Sequence, residues 1–185
     1  FTPRETESTR VDLVDVVRDG LALVRHRSRG LNVELRLTVD GSVLDLDDRG
    51  ASASPCQTWG ARNELGQAFL NLFGNALDAL EEDGTEGGRI EVTLECSSTS
   101  GPRATVRDNG PGVAAEHLDR VTDLFFTTKE VGKGSGLGLA IVHRIVDAHG
   151  GQLALSSAPG QGFTAKVQLP PVPSLGVPDA DQGAR

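Results

Sequence analysis

Methionine is absent from all 185 residues, only three of the 18 basic side chains are lysine, and there are only two cysteines. Each shortage excludes something. A translated chain begins with methionine, so a sequence that opens at Phe1 and contains none is expected to be a piece of a longer protein. No stretch reaches the ~18 apolar residues of a membrane-spanning helix, and no signal peptide opens the chain. The expected location of the domain is therefore cytoplasmic, with anchoring of the parent protein left open. Cys56 and Cys96 lie far apart with no metal-ligand neighbours, so the expectation is a pair of reduced thiols in a cytosolic domain. Positive charge is also short. With 26 acidic against 18 basic residues the net charge is −8, which argues against a nucleic-acid surface or an anionic membrane. Any phosphate ligand must be held by local geometry.

What is present is ordinary globular usage, 37% hydrophobic and 24% charged, enough for a single domain with its own core. Leu13, Val16, Val17, Leu21 and Val24 recur at helical spacing over 12–29, with Gly30 placed as a C-cap. "NVELRLTVD" alternates as a half-buried strand, and 41–58 is turn-rich without a clear assignment. The strongest helical pattern runs from Ala61 to Glu82, with Leu65, Phe69, Leu72, Phe73, Ala76 and Leu80 on one face, and "DGTEGG" stops it. "RIEVTLECS" and "RATVRD" read as strands joined by "STSGP". Residues 109–135 are irregular apart from a short helix near Glu116 to Asp119. "LGLAIVHRIVDAH" is helical, "GGQLALSS" and "FTAKVQL" form a closing strand pair, and 171–185 is a Pro-rich tail expected to be disordered. Strands in adjacent pairs interleaved with helices predict a two-layer α/β sandwich, a mixed sheet with helices on one face.

Three stretches carry chemistry. On the helix "QAFLNLFGNALDAL", Gln67, Asn71, Asn75, Asp78 and Glu82 form one stripe opposite the apolar face. Asparagine is a weak helix former, and a solvated face would be made more cheaply from Lys, Glu or Arg. Two asparagines a turn apart instead offer neutral carbonyl oxygens suited to a hard cation and its phosphates. In "VRDNGPGV", Asp108 ends a strand beside Gly110 and Gly112, a carboxylate able to accept from an amine on a flat ring that the bare glycines let approach. "TTKEVGKGSGLGLAIV" sets four glycines and two lysines ahead of an apolar helical run. Glycine costs roughly 0.5 to 1 kcal/mol in lost chain entropy, so the cluster implies backbone N–H groups meeting an anion. It is neither a P-loop, because Lys133 is followed by Gly134, nor the dinucleotide fingerprint, because Gly138 comes one residue early.

Together these motifs resemble the Bergerat-type ATPases shared by histidine kinases, gyrase-like topoisomerases, mismatch-repair proteins and a heat-shock chaperone. The best match within that group is the catalytic ATP-binding domain of two-component sensor histidine kinases. "NLFGNALDAL" looks like the asparagine box, "DNGPG" the first glycine box, "LFFTTK" the phenylalanine box and "GSGLGLAIV" the second glycine box. The resemblance implies a junction with a preceding dimerisation helix at 1–10, an ATP-binding domain at 11–170 and a mobile lid at about 113–133. It implies ATP and Mg2+ as ligands, Asn75 on the metal and Asn71 supporting the metal and phosphates. Because two of the only three lysines flank the glycines, Lys129 is expected to reach the β- or γ-phosphate, with Lys133 as a weaker second, which makes Asn71 and Lys129 the catalytic candidates. The implied nucleotide contacts are Asn71, Asn75, Asp78, Ala79, Asp108, Gly110, Gly112, Val113, Phe125, Phe126, Thr127, Thr128, Lys129, Lys133, Gly134, Ser135, Gly136, Leu137, Gly138, Leu139 and Thr164. Asp108 would receive the adenine amino group, and Phe125 and Phe126 would anchor the lid.

Partners implied are the phosphoacceptor and dimerisation domain of the same protein and a response-regulator receiver domain, in a homodimeric parent; the fragment itself is expected to be monomeric. None of His26, His117, His143 and His149 is followed by the acidic residue of a phosphoacceptor box, so the acceptor is expected outside these residues. Three positions depart from the family pattern. Asp78 stands where a phosphate-contacting lysine is common, so another cation should substitute; Ala61 replaces an N-capping Asp; Phe163 replaces a threonine near the adenine. The alternatives are an ATP-driven clamp of the chaperone or topoisomerase kind, or a nucleotide-sensing or protein-serine kinase module. A clamp ATPase usually has a glutamate base at the Asn71 position, and asparagine cannot activate water.

Overall fold

A computed structural model describes residues 8–47, 56–118, 120–123, 125–126 and 136–173. The elements in order are β1 (Thr9–Asp12), α1 (Leu13–Gly30), β2 (Glu34–Val39), β3 (Ser42–Leu44), β4 (Gln57–Gly60), α2 (Arg62–Asp83), β5 (Arg89–Glu95), β6 (Arg103–Asp108), α3 (Ala115–Leu118), α4 (Gly138–Ala148), β7 (Gln152–Ser157) and β8 (Phe163–Gln168). Among the described residues six strands form a mixed sheet in the order β3-β2-β5-β6-β8-β7, in which only the β2–β5 pair is parallel. The sheet is amphipathic because its strands alternate. Leu37, Ile90, Val92, Leu94, Ala104, Val106, Ala165 and Val167 are buried. The opposite face carries the laterally paired row Arg36, Glu91 and Arg107. Helix α1 lies against β2, α2 against β5 and β6, and α4 against β7, so the predicted two-layer α/β sandwich is what forms.

Helix α2 is the centre of the core. Leu65, Phe69, Phe73 and Leu77 are almost fully buried, each contributing roughly 1.5–3 kcal/mol by leaving water. A Cβ at Gly20 of α1 would come 3.0 Å from the Phe73 ring, so the absent side chain sets how closely α1 and α2 approach. Gly84, in the left-handed region at φ 66°, ends α2 where the glycine-rich stop was expected.

Several boundaries differ from the sequence reading. Gly30 is the last residue of α1 rather than its C-cap; Leu31 caps the helix, and the left-handed turn falls on Asn32 at φ 55°. The unassigned 41–58 region contains β3 and the start of β4, and β4 pairs antiparallel with β1 in a separate two-stranded sheet. Thr9 and Arg10, expected within the junction, open β1, while 1–7 and 174–185 lie outside the described residues.

The expectation of reduced thiols is corrected. Cys56 and Cys96 form a disulfide, with Cα atoms 4.8 Å apart and Cys56 fully buried. Each cysteine is anchored by the fold: the Leu13 amide donates to the Cys56 carbonyl at 2.8 Å, and the Cys96 amide donates to the side-chain Oδ1 of Asp40 at 2.8 Å. Among the described residues no helix is long and apolar enough to cross a membrane.

Candidate nucleotide site

The polar stripe of α2 forms one wall of a cavity of about 770 Å³. Asn71, Asn75, Asp78, Ala79 and Glu82 line it. Gln67, read as part of the same stripe, instead faces a smaller groove between α1 and α2, because the helices close over the first turns of α2. Asn71 Nδ2 is buried without a hydrogen-bond partner among the described residues. Such a group is costly unless something else satisfies it. Gly138 lies against Asn75, where a Cβ would come 3.0 Å from Oδ1, so the bare residue lets the start of α4 approach the amide.

Asp108 is 5% exposed at the end of β6, and its Oδ1 accepts from the amides of Gly110 at 2.9 Å and Phe163 at 3.2 Å. Burial raises its pKa above the ordinary carboxylate value, opposed by these amide hydrogen bonds. A Cβ at Gly110 would stand 3.0 Å from Oδ1 and 3.7 Å from the Ala79 Cβ. Gly112, at φ 71°, has no room for a Cβ beside the Ala158 carbonyl. Ser157 ties this edge together, accepting from the Val113 amide at 2.7 Å and donating to the Gly162 carbonyl at 2.7 Å. Sequence reasoning missed Ser157, which reads only as the end of a strand.

Gly136, Leu137, Gly138 and Leu139 also line the cavity, at the N-terminus of α4, where Leu137 supplies no side-chain cap. The N–H groups of a helix N-terminus, with the helix dipole behind them, suit an anion. Gly136, at φ 63°, packs on the backbone of Phe125, and its carbonyl accepts from the Phe125 amide at 3.0 Å. The phenylalanine pair divides. Phe126 lines the cavity beneath the Arg120 guanidinium, 4.6 Å from its ring centroid, whereas Phe125 has φ 67° and is 74% exposed.

Two further expectations change. Thr164 does not line the cavity, because Phe163 and Ala165 do and strand alternation turns Thr164 to the other face. Gly110 shapes the site from behind Asp108 without lining it. Val113 lines it, while Thr127, Thr128, Lys129, Lys133, Gly134 and Ser135 lie outside the described residues.

The departures at Asp78 and Ala61 both find partners from distant elements. Arg27 of α1 also lines the cavity, with Nη2 2.7 Å from Asp78 Oδ1 and 2.5 Å from Glu81 Oε2. Glu81 first, then Asp78, raise its pKa above the ordinary guanidinium value. No local signal marks Arg27; it is one arginine among several on α1. At the start of α2, the Ala61 amide donates to His149 Nε2 at 3.0 Å.

The cavity therefore has an end lined by the Asn71 and Asn75 amides, with Gly138 of α4 against Asn75, and a buried carboxylate toward Ala79. The orphaned amide of Asn71 and the glycine cradle at Gly138 fit a phosphate chain with a hard cation. Asp108, held open by glycines, fits a planar amine donor.

Residues 60–173 match the family model of histidine kinase-, DNA gyrase B-, and HSP90-like ATPases. The chain is 35% identical over 160 residues to sensor histidine kinase ZraS of Escherichia coli (strain K12), covering 86% of this chain and 30% of ZraS. It is 38% identical over 155 residues to the C4-dicarboxylate transport sensor protein DctB of Rhizobium meliloti (strain 1021), covering 84% of this chain and 22% of DctB. The chain thus spans less than a third of the length of these relatives. Among solved structures, the nucleotide-free catalytic domain of histidine kinase ThkA superposes with a TM-score of 0.72 at 27% identity, covering 90% of this chain and 99% of that one. Full-length ShkA in complex with AMPPNP gives 0.71 at 28% identity, over 91% of this chain and 32% of ShkA. The chain belongs to the histidine kinase-, DNA gyrase B- and HSP90-like ATPase family, as an ATP-binding catalytic domain of the sensor histidine kinase type.

Proposed function

We propose that this domain binds Mg-ATP and presents the γ-phosphoryl group to a histidine on a separate dimerisation domain of the same, homodimeric sensor kinase. An aspartate on a response-regulator receiver domain then takes the group. One observation carries the reading: Asn71 and Asn75 share a single cavity with Asp108, and bare glycines stand against two of the three, Gly138 against Asn75 and Gly110 against Asp108. In this reading Asp108 accepts from the adenine amino group, and the amides at the start of α4 hold the phosphates. Asn75 would ligate Mg2+ with Asn71 beside it, and the bound ion would neutralise phosphate charge. A lid at 113–133 would close the site, with Phe126 against the cavity wall.

In the transfer itself, the lone pair of an imidazole nitrogen forms the N–P bond as the P–O bond to the β-phosphate breaks and ADP leaves. The chain's share is positioning and charge stabilisation, the main routes by which phosphoryl transfer is accelerated. Neither His26, His117, His143 nor His149 lines the cavity, which favours an acceptor elsewhere. That full-length ShkA was solved with AMPPNP, a triphosphate analogue, also supports nucleotide binding by this fold.

The test is incubation with γ-labelled ATP, alone and with a separately made dimerisation domain. Acid-labile label is expected on the dimerisation domain only. Label on this chain alone would contradict the reading.

A further inference from the structure

The charge along the cavity wall is unfavourable for a triphosphate. Asp78, Glu82, Asp83 and Asp108 line it, three of them on the second half of α2, whose C-terminal dipole adds negative potential. Among the described residues that line the cavity, Arg27 is the sole cation. The position of Asp78 makes its charge matter most. It falls between Asn75, which faces Gly138 at the amide end, and Ala79, which faces Gly110 beside Asp108. A ligand that bridges the two ends passes Asp78.

We infer that Arg27 is a positioning residue for nucleotide binding: reaching across from α1, it neutralises Asp78 and holds its carboxylate out of the phosphate path. The inference rests on the proposal that the cavity takes ATP. Arg27 is suited to this role because its Nη2, which carries two N–H groups, lies against two carboxylates at once, 2.7 Å from Asp78 and 2.5 Å from Glu81, and these contacts hold the side chain before any ligand arrives. Nη2 bound to both Asp78 and Glu81 is poorly placed to serve as a direct phosphate ligand. Its contribution acts through the carboxylate it covers. Loss of the guanidinium returns a negative charge to the cavity wall, and the penalty grows with the number of phosphates on the ligand.

The experiment is calorimetric titration of the full 185-residue chain with MgATP, MgADP and adenosine. It compares the unaltered protein with Arg27→Ala, Arg27→Lys, Asp78→Asn and the Arg27→Ala/Asp78→Asn double variant. Arg27→Ala is expected to weaken MgATP about fivefold, MgADP less and adenosine not at all, as expected for a charge close to the phosphate path in a medium between protein and water. The loss should shrink as salt is raised. Arg27→Lys should keep most of the affinity, Asp78→Asn alone should tighten MgATP, and the double variant should recover the unaltered value.

Recovery separates this role from a structural one, because removing a second partner cannot mend a packing defect. A double variant as weak as Arg27→Ala, or an equal loss for adenosine, would overturn the inference while leaving the nucleotide reading in place. Failure of the unaltered chain to bind any of the three ligands would overturn that reading itself.

Discussion

His149 caps the asparagine-bearing helix from 88 residues away: its Nε2 accepts the Ala61 amide at 3.0 Å while Nδ1 donates to the Ile145 carbonyl at 2.7 Å. The two bonds together require the neutral ring with its proton on Nδ1. Ala61 has no side-chain acceptor, so the imidazole at the end of α4 does for α2 what a capping-box glutamate does from within a helix. The contact also couples the two helices that line the nucleotide cavity. Gly60 belongs to the same arrangement, since any Cβ there would overlap the imidazole.

Replacing His149 with alanine should therefore destabilise the domain by about 1–3 kcal/mol, the usual cost of leaving a buried donor unsatisfied, measured by urea unfolding. Gly60→Ala should destabilise in the native background and be nearly harmless beside His149→Ala. Additive losses in the double variant would show that the two residues do not share a site.

Asp108→Asn should cut ATP affinity about tenfold to a hundredfold by removing a charged acceptor, without lowering the stability of the fold. The sign follows from burial. The folded pKa of Asp108 is raised, so its contribution to stability is complete below the ordinary value of 3.8 and is lost as pH rises through the folded value. At neutral pH that contribution is absent, so a neutral amide at this position is expected not to lower stability. As pH falls, Asp108 in the folded protein takes its proton earlier than an ordinary aspartate, and ATP affinity should decline with it. Unfolding curves at neutral pH showing Asp108→Asn well below the unaltered protein would instead assign the carboxylate a structural role.

The Cys56–Cys96 bond closes a sequence separation of 40 residues and should stabilise the domain by about 2–4 kcal/mol. A thiol titration of the denatured, unreduced protein should find no free thiols, and urea unfolding with reductant should move to lower concentration. Two titratable thiols in the purified protein, or identical curves with and without reductant, would count against the bond.

Lys129, in the lysine position of "FFTTK", is proposed to reach the β- or γ-phosphate, with Lys133 as a weaker second. Lys129→Ala should weaken ATP more than ADP and slow transfer to a supplied dimerisation domain. Lys166 is the control, being exposed on β8 on the sheet face away from the helices. Unchanged ATP affinity and transfer rate in Lys129→Ala would leave Lys129 a solvated residue.

The sequence by itself determined the layers and the two ends of the site. Periods of 3.6 and 2 are local, so α2, α4, β5, β6, β7 and β8 could be read from their own residues. The asparagine stripe and the Asp108 glycines were legible for the same reason, because each group lies within one or two turns of helix or at one strand end. Only the tertiary structure decided what crosses the chain. The β1–β4 sheet, the Cys56–Cys96 bond, the Arg27 contacts to Asp78 and Glu81 and the His149 cap join residues that share no periodicity and no motif. Their pairing depends on how α1 crosses α2 and where α4 ends. The same dependence explains the site residues that moved: Gln67 turned into the α1–α2 groove, Thr164 fell on the far face by strand alternation, and Phe125 pointed outward under a left-handed backbone. Local chemistry writes the candidates, and the packing of helices on the sheet selects which of them face one another.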